Sequence, residues 1–198
     1  ANRIRRHHPA LPWEDCPDFI TDLRKLESIS ALALEWTILT VARTSETTGA
    51  RWSEINEAKA AWTIPAKRMK AKKMHIVPLP DRALAILREL APLKAGSDSY
   101  IFPGLERDSE RGHLSNQAML ECLRGLREDA TVHGFRSSFR DWAGDATEYD
   151  PQTIEFCLAH GISDRTEAAY RRGSAIRKRR DLLVQWQNYL MPGFVGYS

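Results

Sequence analysis

The chain has 198 residues, 42% of them apolar, which is enough for one globular domain with a buried core and argues against disorder. Its net charge is only +3, from 29 basic and 26 acidic residues, so charge alone does not indicate a partner. Three cysteines without a CxxC pair argue against a disulfide framework or a zinc finger and favour a reducing cytosol, and no apolar run is long enough to span a membrane.

The first third of the chain predicts two helices behind a basic arm. The arm, ANRIRRHH, is poor in apolar residues, and its two histidines lack the spaced partners of a metal site. Acidic residues after Pro12 indicate a helix that runs to about Leu26. Ser28 or Ser30 can cap the next helix, which is apolar nearly all round and is therefore expected to be buried.

The predicted buried helix ends with an arginine. Arg43 stands three residues before Glu46, at the point where the apolar run ends. A guanidinium cannot leave water without a partner, so it should either form an ion pair with Glu46 or point at a ligand in a cleft. The residues alone leave both interpretations open.

A small sheet is expected next. The run from Ile55 to Ile64 predicts a strand, a turn and a second strand that ends at Pro65, and 75–79 predicts a third strand. The hairpin between the last two strands is basic and carries Lys70. Its ammonium group is either a solvated surface charge or a mobile proton donor that reaches into a groove.

Helices dominate the remainder of the chain. Asp81 and Ser115 are expected to cap two of them, Pro151 starts a third, and the last runs from about Ser174 to Leu190. The basic start of that last helix opposes the helix dipole, which favours a ligand or partner for its arginines. Two basic clusters fit a polyanion surface or simply a soluble face. They are Lys67, Arg68, Lys70, Lys72 and Lys73 in the hairpin, and Arg171, Arg172, Arg177, Lys178, Arg179 and Arg180 near the last helix.

The stretch 133–170 carries the side chains that are best suited to catalysis. His133 and Arg136 stand three residues apart at the start of a predicted helix, His160 ends another helix, and Tyr170 precedes two arginines. A cation, two imidazoles and a phenol suggest phosphate chemistry. The alternative is a solvated helix face beside a core tyrosine, because short motifs such as HxxR often occur by chance.

Taken together, these residues resemble the tyrosine recombinase (phage integrase) family. The resemblance rests on Arg43 with Glu46, Lys70 before VPL, HGFR at 133–136, LAH at 158–160 and Tyr170, in the family's order. The flanking phrases HHPALPW, GARWSEI, WTIPAKRMK and EAAYRRG look like its branch of prophage and genomic-island integrases.

The resemblance implies a mainly α (α+β) fold, the helical DNA breaking-rejoining catalytic domain with a small three-stranded antiparallel sheet. It implies this domain at 13–198, with 1–12 as the end of a linker from N-terminal DNA-binding domains. The implied partner is double-stranded attachment-site DNA in the bacterial cytoplasm and nucleoid. The implied assembly is a homotetramer on DNA and a monomer when free, joined by a directionality factor or a DNA-bending protein. No membrane partner is implied.

The resemblance also implies a role for each residue, in a reaction that uses no cofactor and no metal. Arg43 and Arg136 would hold the phosphate, with Glu46 supporting Arg43, and Tyr170 would be the nucleophile. His133 would accept the tyrosine proton, Lys70 would protonate the leaving oxygen, and His160 would bind the phosphate or that oxygen. Further DNA contacts are expected from Arg68, Lys72, Lys73, Arg171 and Arg172.

Three other functions compete with a recombinase. A non-catalytic DNA-binding module would have the same fold, and a type IB topoisomerase-like enzyme would share the chemistry but relax supercoils. A metal-dependent nuclease is disfavoured, because the sequence lacks the clustered carboxylates of a two-metal site.

Overall fold

The fold is arranged around one buried helix, α2. The structure, a computed structural model, describes residues 9–104, 112–160 and 174–195. In those ranges the helices are α1 Cys16–Leu23, α2 Ile29–Thr40, α3 Thr44–Thr48, α4 Asp81–Leu90, α5 Asn116–Arg124, α6 Gly134–Ala146, α7 Pro151–Cys157 and α8 Ser174–Leu190. The strands are β1 Ile55–Asn56, β2 Ala61–Ile64 and β3 His75–Pro78, and short 3-10 turns lie at Trp13–Asp15, Trp52–Glu54, Glu57–Lys59, Ala66–Arg68 and Ala91–Leu93.

Helix α2 is buried because almost every face of it is apolar. The hydroxyl oxygen of Ser28 caps it by accepting from the Ala31 N–H at 3.1 Å, as one of the two predicted caps. In the core, Trp36 makes edge contacts with Trp62 on the sheet and with Phe102. The helix ends at Thr40, where Val41 adopts a left-handed conformation with φ 49°. This turn sends the chain towards Arg43.

The predicted three-stranded sheet is confirmed. It is antiparallel in the order β1-β2-β3, and Trp62 in the middle strand lies opposite Ile55 and Val77. The long connection between β2 and β3 carries Lys70. The sheet contacts α2 through Trp62 and Trp36, and its basic loop extends beyond the ends of the strands.

Helix α8 ties the sheet to the helical core. The indole N–H of Trp186 donates to the carbonyl of Ile38 on α2 at 3.0 Å. Near the helix start, Arg179 donates to the carbonyl of Ile76 at 2.9 Å and Arg180 to that of Lys59 at 2.8 Å. Main-chain carbonyls of the sheet region thus engage part of each guanidinium, and the expectation that these arginines serve a ligand or partner stays a prediction.

A buried ion pair, which the sequence did not indicate, joins α2 to α4. Arg82 forks onto Glu35, with Nε–Oε1 at 2.7 Å and Nη2–Oε2 at 2.8 Å, and both side chains are buried. The paired geometry compensates for the loss of water around both charges.

Two expected boundaries differ from the structure. Helix α1 ends at Leu23 rather than near Leu26, and Asp81 is the first residue of α4 rather than its cap, since Pro80 occupies that position. The fold class is confirmed as mainly α with a small antiparallel sheet. Among the described helices, none combines the length and apolar character needed to cross a lipid bilayer.

Candidate active site

Arg43 is fixed by Glu46 at the start of α3. It lies beyond the end of α2, as the N-cap residue of the next helix, and not at the end of the buried helix as expected. One carboxylate oxygen of Glu46 accepts from Arg43 Nη1 at 2.8 Å and the other from the Arg43 backbone N–H at 2.8 Å. Glu46 is buried whereas Arg43 is partly exposed, so the pair positions a guanidinium that still reaches solvent.

Arg68 supports the pair of Arg43 and Glu46 by binding the backbone of Glu46. Its Nη1 donates to both carboxylate oxygens of Glu54, at 2.6 Å for Oε1, and its Nη2 donates to the backbone carbonyl of Glu46. The guanidinium is thus engaged with the protein itself, although Arg68 was expected among the DNA contacts. That expected contact stays a prediction.

Arg136 is held between the ends of two helices. It projects from the first turn of α6 and is 5% exposed. Its Nη1 donates to the carbonyl of Val41 after α2, and its Nη2 donates to the carbonyl of Leu158 after α7 at 2.5 Å. The same Nη2 lies 3.2 Å from Nε2 of His160. Its Nε is buried and has no hydrogen-bond partner among the described residues.

The two arginines share one electrostatic environment. Burial and, to a smaller extent, the positive charge of Arg43 lower the pKa of Arg136, Glu46 and Glu155 oppose the change, and the net result is a pKa of about 10. Arg136 therefore remains a cation at neutral pH, but the nearby carboxylates do not fully balance its buried positive charge. An anion placed beside both guanidiniums would relieve this repulsion.

His160 owes its position to the way α7 ends. Ala159 is left-handed, with φ 48°, and the backbone N–H groups of Ala159 and His160 donate to the carbonyls of Phe156 and Glu155. This Schellman motif folds the chain back over the last turn. It leaves the Leu158 carbonyl to accept from Arg136 and brings the His160 ring to the Glu155 carboxylate, with Nδ1–Oε2 at 2.6 Å.

His75, at the start of β3, belongs to the same site. Burial lowers its pKa to about 3, and the charges of Arg179, Arg136 and Arg43 contribute in the same direction. A hydrogen bond to the backbone of Cys157 acts in the opposite direction. A neutral imidazole therefore lies within the field of three arginines and links the sheet to the end of α7.

The remaining predicted residues are either exposed on the surface or lie outside the described ranges. His133 is exposed and immediately precedes α6. Lys70, Lys72 and Lys73 are exposed on the connection between β2 and β3. Tyr170, Arg171 and Arg172 lie outside the described residues.

Sequence reasoning missed His75, Glu155 and the two carbonyls that hold Arg136. His75 follows the basic loop that carries Lys70, but this position does not indicate that it packs against the end of α7. Glu155 stands five residues before His160, and a Schellman ending would bring that pair together. Nothing in the sequence indicates which carbonyls turn towards Arg136.

Comparison with known proteins decides the family. The model of the phage integrase family matches residues 12–175. The chain belongs to the phage integrase family. Among relatives in this family, the integrase of Enterobacteria phage P4 is 32% identical over 91% of this chain and 45% of its own length. The prophage integrase IntA of Escherichia coli K12 is 32% identical over 97% of the chain and 46% of its own length. The chain thus spans about half the length of the curated relatives that it matches.

Solved integrase structures have the same fold. The integrase from mycobacterium phage Brujita superposes with a TM-score of 0.68 at 16% identity, covering 100% of this chain and 63% of that one. A lambda integrase dimer bound to a COC′ core site superposes with a TM-score of 0.57 at 19% identity, covering 86% and 62%. At these identities the likeness concerns the fold alone.

Proposed function

We propose that residues 13–198 form the catalytic domain of a site-specific DNA recombinase and that 1–12 are the end of a linker from DNA-binding domains. The observation that carries the proposal is the convergence of Arg43 at the start of α3, Arg136 in the first turn of α6 and His160 after the end of α7. Membership of the phage integrase family, and the core-site DNA in the lambda integrase structure, support DNA as the substrate.

The two guanidiniums would hold the scissile phosphate. As charge builds on the oxygens of the pentacoordinate phosphorane, planar donors that stay protonated can stabilise it without reorganising. Glu46 keeps Arg43 in place, and the carbonyls of Val41 and Leu158 keep Arg136 in place. His160 would hydrogen-bond the phosphate or the leaving oxygen.

Tyr170 would attack the phosphorus. Its phenol needs a base or cationic surroundings to act near neutral pH, because the pKa of a free tyrosine is about 10. His133 would accept the phenol proton and Lys70 would protonate the departing 5′ oxygen. The bond from phosphorus to the 5′ oxygen breaks as the bond to the tyrosine oxygen forms, which leaves a 3′-phosphotyrosine.

The covalent intermediate keeps the energy of the phosphoester bond. A second DNA end can therefore attack it and restore a continuous strand, so exchange needs no ATP. We propose double-stranded attachment sites as the substrate, with a homotetramer on DNA, a monomer when free, and a directionality factor or DNA-bending protein as accessory partners. Lys72 and Lys73 are exposed and would contact the backbone with Arg171 and Arg172, while Arg68 would do so only if it left Glu54.

Trapping on a nicked attachment-site duplex tests the proposal. The nick lets the short product diffuse away, so the protein remains attached to DNA. We expect a covalent band for the wild type, with Tyr170 as the DNA-linked residue in peptide mapping, and none for Tyr170→Phe. Filter binding should show that the variant still binds the duplex, because only a hydroxyl is removed.

The other outcomes separate the competing functions. A covalent band that persists in Tyr170→Phe refutes the nucleophile. DNA binding without a band for the wild type at any pH indicates a non-catalytic module. Relaxation of supercoiled plasmids without an attachment site indicates a topoisomerase-like enzyme.

A further inference from the structure

A second carboxylate, Glu155 on α7, is engaged with both of its oxygens. Its Oε2 lies 2.6 Å from Nδ1 of His160, and its Oε1 lies 2.7 Å from Nε of Arg140 on α6. The other nitrogen of the His160 ring faces Arg136, with Nε2–Nη2 at 3.2 Å. The four side chains form a continuous series, and only Arg136 and His160 were singled out from the sequence.

The hydrogen-bonding groups define the tautomer of His160. A guanidinium has donors and no acceptor, so the Nε2 atom that faces Arg136 must accept and carries no proton. The proton of the neutral ring is then on Nδ1, where the Glu155 carboxylate can only accept. Arg136 and Glu155 therefore favour the same tautomer of His160, with its proton on Nδ1.

We propose that Glu155 is a positioning residue of the active site, which fixes the ring of His160 and commits its Nδ1 proton so that Nε2 faces the phosphate-binding arginines. This inference rests on the proposed function, because it assigns His160 to the phosphate held by Arg136. Phosphate oxygens only accept, so Nε2 would take up a proton from solvent when DNA binds, and the Glu155 carboxylate would stabilise the doubly protonated ring. A carboxylate that orients a functional histidine through its other nitrogen is a general device of protein sites.

The local backbone makes the contact independent of DNA. The His160 N–H donates to the Glu155 carbonyl at 3.1 Å in the Schellman motif, so the two side chains meet over the last turn of α7. The contact therefore exists in the DNA-free protein. It can be measured there.

Glu155 has an alternative role as a tie between α6 and α7 through Arg140. The Arg140 side chain is 60% exposed, and exposed ion pairs contribute little to stability. Arg140→Gln removes this tie and leaves the contact between Glu155 and His160. It is therefore the matched control for Glu155→Ala.

The decisive measurement is the protonation of the His160 ring in the whole DNA-free chain, read from nitrogen chemical shifts and long-range proton couplings in NMR spectra at pH 8. We expect the Nδ1–H tautomer in the wild type and in Arg140→Gln. In Glu155→Ala the ring is no longer held against Arg136, so it can turn away and its proton should shift to Nε2. An unchanged Nδ1–H tautomer in Glu155→Ala, or an equal shift in both variants, overturns the proposal.

Cleavage provides the second measurement. In single-turnover reactions on the nicked duplex we expect Glu155→Ala to be slower by about tenfold, as for other residues that orient a functional histidine. Arg140→Gln should stay within about twofold of the wild type. Glu155→Gln keeps the size of the side chain and one hydrogen bond, so its rate should lie between those of the wild type and Glu155→Ala. Equal rates for all four proteins contradict the positioning role.

The two proposals fail separately. The tautomer is read without DNA, so a shift in Glu155→Ala together with an inactive wild type would contradict the recombinase and leave the orientation of His160 by Glu155 standing. Normal cleavage by the wild type together with an unshifted tautomer in Glu155→Ala would support the recombinase and contradict the orientation of His160 by Glu155.

Discussion

Gly49 makes room for the guanidinium that supports Arg43. A Cβ atom added at this position would lie 3.0 Å from Nη2 and 3.3 Å from Nε of Arg68. Arg68 cannot easily move away, because it is bonded to Glu54 and to the Glu46 carbonyl. The missing side chain at Gly49 therefore matters for the space it leaves.

We expect Gly49→Ala to lower the free energy of unfolding by about 1–2 kcal/mol, the range of a mildly overpacked site. Cleavage should fall as well. Arg68 donates to the carbonyl of Glu46, and the carboxylate of Glu46 holds Arg43, so a displaced Arg68 should disturb Arg43. Urea unfolding and trapping on the nicked duplex measure the two effects. Gly96→Ala is the control, since a Cβ there meets nothing within 4 Å. Equal stability of the two variants would show that Arg68 gives way.

At the scale of elements, α6 depends on the chain segment that crosses its start. The carbonyl of Pro9 accepts from the N–H of Thr131 at 3.1 Å and from its hydroxyl at 3.2 Å, and the hydroxyl of Ser138 donates to the carbonyl of Leu11. A Cβ on Gly134 would lie 2.3 Å from the Pro9 carbonyl oxygen. The glycine of HGFR thus permits this close crossing.

Two alanine substitutions in the same helix should have opposite effects. Gly134→Ala must displace the segment at Pro9, so we expect it to lower the free energy of unfolding by about 1–3 kcal/mol. Gly144→Ala adds a Cβ that meets nothing within 4 Å and should raise it by about 0.5–1 kcal/mol, because alanine restricts the unfolded chain. Chemical denaturation measures both. A Gly134→Ala protein as stable as the wild type would contradict the crossing.

Local signals predicted the helices better than the turns between them. Ser28 and Ser115 cap their helices as expected, and the last helix has the predicted bounds, because caps and periodicity act over a few residues. The turn that displaces Arg43 from α2 was not predicted. It depends on left-handed Val41, and a β-branched residue gives no signal for that conformation.

At the scale of the whole molecule, the site joins segments that are far apart in the chain. The sequence identified Arg43, Arg136 and His160 through motif order, and the structure brings Arg136 into contact with His160 and into the field of Arg43. It could not identify His75 as a neighbour, because that proximity depends on how the sheet packs against the ends of α7 and α8. The role of Tyr170 as nucleophile stays a prediction.

The position of His75 predicts a pH dependence of stability. Its pKa is about 3 in the folded protein, against about 6.5 in an unfolded chain. Between these values the unfolded chain binds the extra proton, so stability is lost as the pH falls below about 6.5. The slope from this one group is at most about 1.4 kcal/mol per pH unit.

We expect His75→Gln to flatten the acid side of the stability profile. Free energies of unfolding in urea at pH 7, 6 and 5 give the slope for each protein. The difference between the two slopes isolates His75, because the other titrating groups are common to both. Parallel profiles would show that His75 is protonated in the folded protein as readily as in the unfolded chain.

The crossing of α6 by residues 9–11 also sets a practical limit for protein production. A shortened version that begins after Leu11 would lose the acceptors for Thr131 and Ser138 and would uncover the backbone at Gly134. Expression boundaries for crystallography should therefore be placed before Pro9, even though residues 9–11 belong to none of the helices or strands.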